Sequence, residues 1–362
     1  MMMTRKERFL TAVRGRQPDR LPMFDFLFQQ PLYEAMIGHR PGNYNARDAV
    51  ACALALDHDA VWLPFGGYNG FQPKFLDANT YIDEWGTTYR HNDASWPIDA
   101  PIDYPIKTRQ DFARYRAPDP TLPGRACELE AFWETPHDEM ALTGGITGPF
   151  TTCWLLMGYE HICYALYDDA ALLTDIFRVS NEYNKEAARR CVAAGCHALW
   201  LGDDLGDSSR GFLKLDHFHK YYLPYLVDLA EYVDSLGVPL LLHCCGRFID
   251  YLPDLAQTKI ASIHPLQRTA GMDLRWVKEH YGQRFCIIGN IDSSRTLPFG
   301  TPDDVAAEVR EAIDVAAPGG GYVLASDHSL HDGIPLENIR TMFRVGREYG
   351  GRCYANPSTG AS

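Results

Sequence analysis

Short apolar runs alternate with longer amphipathic stretches along this chain, and the alternation becomes regular from about residue 139. Met140-Ala141-Leu142-Thr143 ends in Gly144-Gly145, and Ala198-Leu199-Trp200-Leu201-Gly202 ends in Asp203-Asp204. Leu240-Leu241-Leu242 runs into His243-Cys244-Cys245-Gly246, and Ile260-Ala261-Ser262-Ile263 into His264-Pro265. Phe285-Cys286-Ile287-Ile288 leads to Gly289-Asn290, and Gly321-Tyr322-Val323-Leu324-Ala325-Ser326 to Asp327-His328. Apolar runs of this length, closed by turn residues, are the pattern of strands buried on both faces. Helical periodicity fills the gaps: residues 159–195, with a long helix from about Asp169, then 216–237, a short stretch at 249–257, 274–282, 301–317 with Pro302 at the first position, and 335–350. Upstream, residues 4–14 predict a helix with a Thr4/Glu7 capping box, and 19–26 a turn into a first strand. Residues 45–56 predict a helix, 60–65 a strand, and 81–91 a hairpin outside the main sheet.

Strands alternating with helices pair in parallel through crossovers. About eight such strands predict an α/β fold, a (β/α)8 TIM barrel, which takes ~250 residues. Residues 1–355 then form a single domain with an N-terminal helix, an insertion at about 66–138 over one end, and a flexible tail at 356–362. A doubly wound open sheet is the alternative. No glycine-rich phosphate fingerprint supports it, because Gly66-Gly67-Tyr68 and Gly319-Gly320-Gly321 lack the spacing.

Composition narrows the function class. The 362 residues are 46% hydrophobic and 22% charged, as in soluble globular proteins. A net charge of −13 without charge runs argues against nucleic-acid binding, which needs a basic stripe. The ten cysteines form no compact disulfide framework. The start, Met1-Met2-Met3-Thr4-Arg5-Lys6-Glu7-Arg8, lacks a signal-peptide core, and no apolar run approaches a membrane span. The expectation is a reduced, cytoplasmic protein that neither enters a membrane nor binds nucleic acid.

The strand tips carry the chemistry. In a barrel they face one pocket, and here they hold Asp25, Asp203-Asp204, His243-Cys244-Cys245, His264 with Gln267, Asn290 with Asp292, and Asp327-His328. So many polar groups at strand ends predict a shared functional site rather than a stability feature. His243 and Cys245, two residues apart on an extended chain, point to one side and make half of a tetrahedral zinc site. With His328 they make three protein ligands and an open position, the pattern of a catalytic zinc. The alternative is a buried histidine with two core cysteines, and a His328 that merely caps or faces solvent. Asp327 is placed to orient a ligating imidazole. Asp203 and Asp204 suit a cation, a polar substrate group or general base work, and their alternation lets only one face the pocket. Asn290 joins Asp203, Asp204 and Asp327 as a catalytic candidate. Asp25, Phe26, Gln267 and Asp292 are candidates for holding substrate. The rings of Phe24, Phe26, Phe28 and Trp62 suit an aromatic methyl ether, though core packing explains them equally.

The chain resembles the uroporphyrinogen decarboxylase superfamily, and within it the zinc-dependent, corrinoid-linked methyltransferases. The resemblance rests on Thr4-Arg5-Lys6-Glu7-Arg8 with Asp19-Arg20-Leu21-Pro22, on Gly202-Asp203-Asp204-Leu205-Gly206, and on His243-Cys244-Cys245-Gly246. His264-Pro265-Leu266-Gln267, Gly289-Asn290-Ile291-Asp292 and Asp332-Gly333-Ile334-Pro335-Leu336-Glu337-Asn338-Ile339 extend it over nearly the whole chain. It implies a TIM barrel and methyl transfer between a small methylated substrate, or a thiol or folate acceptor, and a methylcobalamin-type corrinoid. A corrinoid-binding partner protein would bring the cobalt, docking near residues 66–138, and zinc would activate the small molecule. A homodimer is a further expected partner state, with the assembly left open.

Two departures matter. The porphyrin decarboxylases carry an arginine-rich segment after the first strand, whereas Phe24-Asp25-Phe26-Leu27-Phe28-Gln29-Gln30 has no arginine. A clamp for a poly-anionic porphyrin is therefore missing. The methyltransferases carry a late cysteine where this chain has Ser326-Asp327-His328. Imidazole in place of thiolate leaves a harder Lewis acid and brings thiol specificity into question. The alternatives are a decarboxylase or lyase using Asp203 or Asp204 as acid–base, and a non-catalytic partner of a corrinoid protein.

Overall fold

The helix Arg5–Val13 starts where its capping box closes, with the Thr4 hydroxyl accepting the Glu7 N–H and the Glu7 carboxylate accepting the Thr4 N–H. Its buried side chains Phe9, Ala12 and Val13 cluster with Ala60, Ala141 and Ala198, the first residues of three sheet strands. Small side chains there leave room for the Phe9 ring. The computed structural model describes residues 2–67, 69–92 and 96–355, so the tail at 356–362 lies outside the described residues.

Seven parallel strands form the main sheet. In chain order they are β1 (Ala60–Pro64), β2 (Ala141–Thr147), β3 (Ala198–Gly202), β4 (Leu240–His243), β5 (Ile260–His264), β6 (Cys286–Ile291) and β7 (Tyr322–Ser326). Each pairs with the next in sequence. Long helices connect them, including Pro149–Asp168, Ala170–Ala193 and Pro302–Ala316. Along each strand the residues divide by period two. Leu199, Leu201, Leu240 and Leu242 pack outward with the helices, while Trp200, Leu241, Ile288 and Val323 share the inner cluster with Phe9 and Phe24.

The sheet has seven strands, not the eight expected. The predicted first strand is reduced to one bridge, Met23 to Leu324. Its backbone still meets both sheet edges: Phe24 N–H donates to Leu324 O, Leu324 N–H to Pro22 O, and Asp59 N–H to Met23 O. A ladder cannot extend because its donors are taken. Pro22 has no N–H, Met23 N–H goes to the Asp59 carboxylate at 2.9 Å, and Phe26 N–H goes to Asp25 Oδ1 at 2.9 Å.

The insertion carries its own antiparallel sheet of Lys74–Phe75, Thr80–Ile82, Thr88–Arg90 and Ala100–Asp103, and the expected hairpin is its middle pair. Thr87 Oγ1 ties it to Leu155 O at 2.7 Å, and Glu84 pairs with Arg125, both buried. The helix Pro149–Asp168 begins ten residues before the expected Tyr159, because Gly158 breaks the helical pattern with φ 72°. No described helix is long and apolar enough to cross a membrane.

His58 is 0% exposed, packs against Phe343 and Phe24, and neither ring nitrogen has a partner among the described residues. Burial pushes it from 6.5 down to about 3. A group lowered on folding contributes stability above its unfolded value and loses it as pH falls toward the folded one. Between these values the unfolded chain alone holds the proton. At pH 5 this lies about 1.5 pH units below 6.5, which is about 2 kcal/mol. His58→Phe should therefore gain about 2 kcal/mol relative to wild type between pH 8 and pH 5, whatever its packing cost. Urea unfolding at both pH values measures this, and an equal difference at the two would refute the assignment.

Candidate metal centre and active site

On β4, Leu241 points inward, so His243 two residues on does too, and Cys245 follows in the turn after the strand. His243 Nε2 lies 3.2 Å from Cys245 Sγ. His328, beyond the end of β7, completes a group of three ligand atoms that all lie within 4.8 Å of one another. Tetrahedral zinc, with Zn–N about 2.0–2.1 Å and Zn–S about 2.3 Å, places its donors about 3.3–3.6 Å apart. The contact between His243 Nε2 and Cys245 Sγ fits that spacing within a few tenths of an ångström. The donor types also fit: two imidazole nitrogens and one sulfur, with a fourth position facing a cavity.

Burial sets the protonation of these groups. It pushes His243 down to about 4 and lowers His328, so both imidazoles are neutral and their nitrogen lone pairs are available. Burial, reinforced by the Asp204 carboxylate, pushes the Cys245 thiol well up. Only a cation beside the sulfur reverses that preference. Asp204 Oδ1 accepts the Cys245 N–H at 2.9 Å and stands 4.0 Å from His243 Nε2. The Asp204 N–H in turn donates to Thr151 Oγ1 at 2.9 Å.

Behind the triad, His243 Nδ1 lies 2.8 Å from His264 Nδ1, the rings of residues paired in register on β4 and β5. His264 is 0% exposed, and its Nε2 has no partner among the described residues. If His243 ligates through Nε2, its Nδ1–H must donate to His264, which fixes the tautomer and the ring plane. Sequence reading placed His264 at a strand tip but gave it no role. His264→Ala should weaken zinc binding by about 10–100-fold, the usual effect of losing a ligand's hydrogen-bond partner. Titration against a chromophoric chelator checks this, and wild-type affinity would remove the role.

The triad opens into a cavity of about 840 Å³. Phe26, Phe28, Trp62 and Trp200 line it from the sheet side, Trp85, Tyr89 and Trp96 from the insertion, and Thr151 and Trp154 from the helix Pro149–Asp168. Of the residues nominated from sequence, Phe26, Phe28, Trp62, Asp204, His243, Cys245 and His328 meet here. The others are placed elsewhere. Asp203 is 0% exposed and holds the N-terminus of that helix, accepting Thr151 N–H at 2.7 Å and the Tyr222 hydroxyl at 2.5 Å, while burial pushes its carboxyl up to about 7. Asp25 accepts the backbone N–H and hydroxyl of Ser326. Asp327 accepts the N–H and hydroxyl of Ser293 and the N–H of Arg268. Asp292 caps Ser294 and Arg295, Asn290 donates to Leu266 O, and Gln267 accepts the Gly246 N–H. These six side chains shape the loops that carry the triad and do not line the cavity. Phe24, expected as a pocket ring, is fully buried beneath the cavity, stacked on Trp200 at 5.1 Å. Ser329 and His331, which line the wall beside His328, had no distinguishing sequence signal.

The family model described as uroporphyrinogen decarboxylase (URO-D) matches residues 81–349. Over 355 residues, 96% of this chain and 98% of the relative, the chain is 22% identical to the methylcobamide:CoM methyltransferase MtbA of Methanosarcina acetivorans. It is 26% identical over 363 residues, with the same two coverages, to the methylcobamide:CoM methyltransferase MtaA of Methanosarcina barkeri. It is 25% identical over 264 residues, 69% of this chain and 71% of the relative, to a uroporphyrinogen decarboxylase of Anaeromyxobacter dehalogenans. A solved methyltransferase from Methanosarcina mazei shares the fold, with a TM-score of 0.71 at 21% identity over 96% of this chain and 99% of that one.

Proposed function

The chain belongs to the uroporphyrinogen decarboxylase family, and from that premise we propose that it is a zinc-dependent methyltransferase working between a small molecule and a corrinoid carried by a partner protein. The supporting observation is the His243, Cys245 and His328 donor set at the base of an aromatic cavity. Similarity to MtbA and MtaA supports methyl transfer over decarboxylation. The absence of arginine in residues 24–30 speaks against a porphyrin.

When bound, zinc would supply a Lewis acid that lowers the pKa of a substrate thiol or polarises an ether oxygen. His243 and His328 would present neutral nitrogens and Cys245 its sulfur, with His264 fixing the His243 ring. Asp204 is the one nominated carboxylate that faces the cavity, and it is placed to take the proton that a substrate thiol gives up. The surrounding rings keep water from the reacting atoms. Of the two carboxylates that the lyase alternative would use, Asp203 is committed to a helix N-terminus, which leaves that reading Asp204 alone. The same reading takes residues 1–355 as one domain and residues 21–25 as the eighth stave of a closed barrel. Residues 66–138 would be the docking surface for the corrinoid protein.

Metal analysis and a methyl-transfer assay test the proposal together. About one zinc per chain is expected. Cobalt(I) absorbance should rise when methylcobalamin and a thiol are supplied, and it should stop on chelation. Protein that holds no metal, or activity that survives chelation, would overturn it.

A further inference from the structure

Five of the seven tryptophans in the chain, Trp62, Trp85, Trp96, Trp154 and Trp200, line this one cavity. Four carboxylates line it with them: Asp83, Glu84, Asp99 and Asp204. Among the described residues no lysine or arginine side chain lines it. The undescribed residues of the inserted segment, Tyr68 and Asp93-Ala94-Ser95, bring no cation either.

The histidines do not change that balance. His243 and His328 belong to the triad, with His243 Nε2 3.2 Å from Cys245 Sγ and its Nδ1 2.8 Å from His264 Nδ1. His331 is taken up by the loop backbone, with Nδ1 accepting the Gly333 N–H and Nε2 3.0 Å from Ser293 O. Two of the carboxylates have local partners: Glu84 pairs with Arg125, and Asp99 sits 3.0 Å from His91 Nδ1. Asp83 is held by backbone N–H groups, of Thr87, Trp85 and Gly86, and Asp204 faces the triad. At the metal end, two positive charges on zinc would be balanced by the Cys245 thiolate and Asp204.

An anion entering this space leaves water and finds no counter-charge on the walls. A cation finds indole faces, the best partners for a quaternary ammonium, beside unspent negative charge. We propose that the small substrate is an organic cation. Its sulfur or oxygen end would reach the His243–Cys245–His328 group, and its ammonium end would sit among Trp85, Trp96 and Asp83 on the inserted segment. This deepens the methyltransferase reading and rests on it for which end of the ligand reacts. It does not rest on that reading for the charge preference.

Three thiols with two-carbon spacers and head groups of similar size separate charge from shape: thiocholine, 3,3-dimethylbutane-1-thiol and 2-mercaptoethanesulfonate. Binding to the zinc-loaded full-length protein is read from tryptophan fluorescence, without methyl transfer. Thiocholine should bind tightest and the sulfonate weakest, with at least a tenfold span in Kd. Ile98 lines the cavity and is 59% exposed, so Ile98→Lys adds a cation at the mouth without disturbing the core. It should tighten the sulfonate severalfold and weaken thiocholine. A wild-type protein that binds the sulfonate as tightly as thiocholine, or an Ile98→Lys variant with unchanged values for both, overturns the proposal. Charge-ranked binding without methyl transfer would instead count against the methyltransferase reading alone.

Discussion

Cys245→Ser is expected to lower zinc affinity by about 10²–10³-fold and to take activity down with it. Apparent zinc binding energies of ~10–16 kcal/mol over four ligands put about 2.5–4 kcal/mol on each, and 1.4 kcal/mol is tenfold. Serine does not ionise beside the metal as a thiol does, so two neutral imidazoles would hold a dication with no charge from the first ligand shell. The neighbouring Cys244 is the control. It is 0% exposed and its sulfur accepts the Leu205 N–H at 3.3 Å, turned away from the triad. Cys244→Ser should keep zinc affinity within about threefold, because an oxygen can accept the same bond. Competition with a chromophoric chelator measures both variants, and circular dichroism confirms that each is folded. Wild-type zinc affinity in Cys245→Ser, or equal losses in the two variants, would remove the metal centre from the argument.

The parts of this molecule legible in its sequence are those governed by period and spacing. Apolar runs located all seven sheet strands, and the two-residue step from His243 to Cys245 placed both on one face. The alternation of neighbouring residues separated Asp204, which lines the cavity, from Asp203, which does not. The misses have other causes. The stretch around Met23 reads as a strand by composition, yet Met23 N–H goes to the side chain of Asp59, far off in sequence, and Phe26 N–H to the neighbouring Asp25 carboxylate. Asp25, Asp292 and Asp327 are polar groups at strand tips, as a site requires. Whether such a carboxylate faces a cavity or clamps a loop depends on which backbone N–H groups surround it, and sequence does not carry that. Phe24, Phe26 and Phe28 share one face. Their depth along the strand decides which ring is core and which is wall, and it places Phe24 under Trp200. His264 stayed without a role because its partner is another imidazole on the next strand, a contact set by sheet register.

The opening block, Thr4-Arg5-Lys6-Glu7-Arg8 with Asp19-Arg20, has its meaning at the opposite end of the strands from the triad, which implies stability rather than catalysis. Asp59 opens β1 from its amino end, is 0% exposed, and takes Arg8 Nη1 at 2.6 Å, Arg20 Nη2 at 3.2 Å and Met23 N–H at 2.9 Å. Arg8, itself 5% exposed, also holds Asp19 at 2.6 Å. One carboxylate thus pins the N-terminal helix, the segment between the sheet edges and β1. Asp59→Ala would leave two guanidinium groups facing a buried gap. Removing one partner of a buried ion pair costs about 3–5 kcal/mol, because the remaining charge stays desolvated. In a chain of this size that is a fall in Tm of about 4–7 °C. Zinc content in the folded fraction should stay at the wild-type level, since the network and the triad sit at opposite ends of the strands. Arg8→Met combined with Asp59→Leu should recover part of the loss, because an apolar pair of similar volume fills the gap and takes one of the two guanidinium groups out of it. Thermal unfolding of both variants, with metal analysis alongside, measures each claim. A Tm within 2 °C of wild type for Asp59→Ala would show that the opening block is not what fixes the base of the sheet.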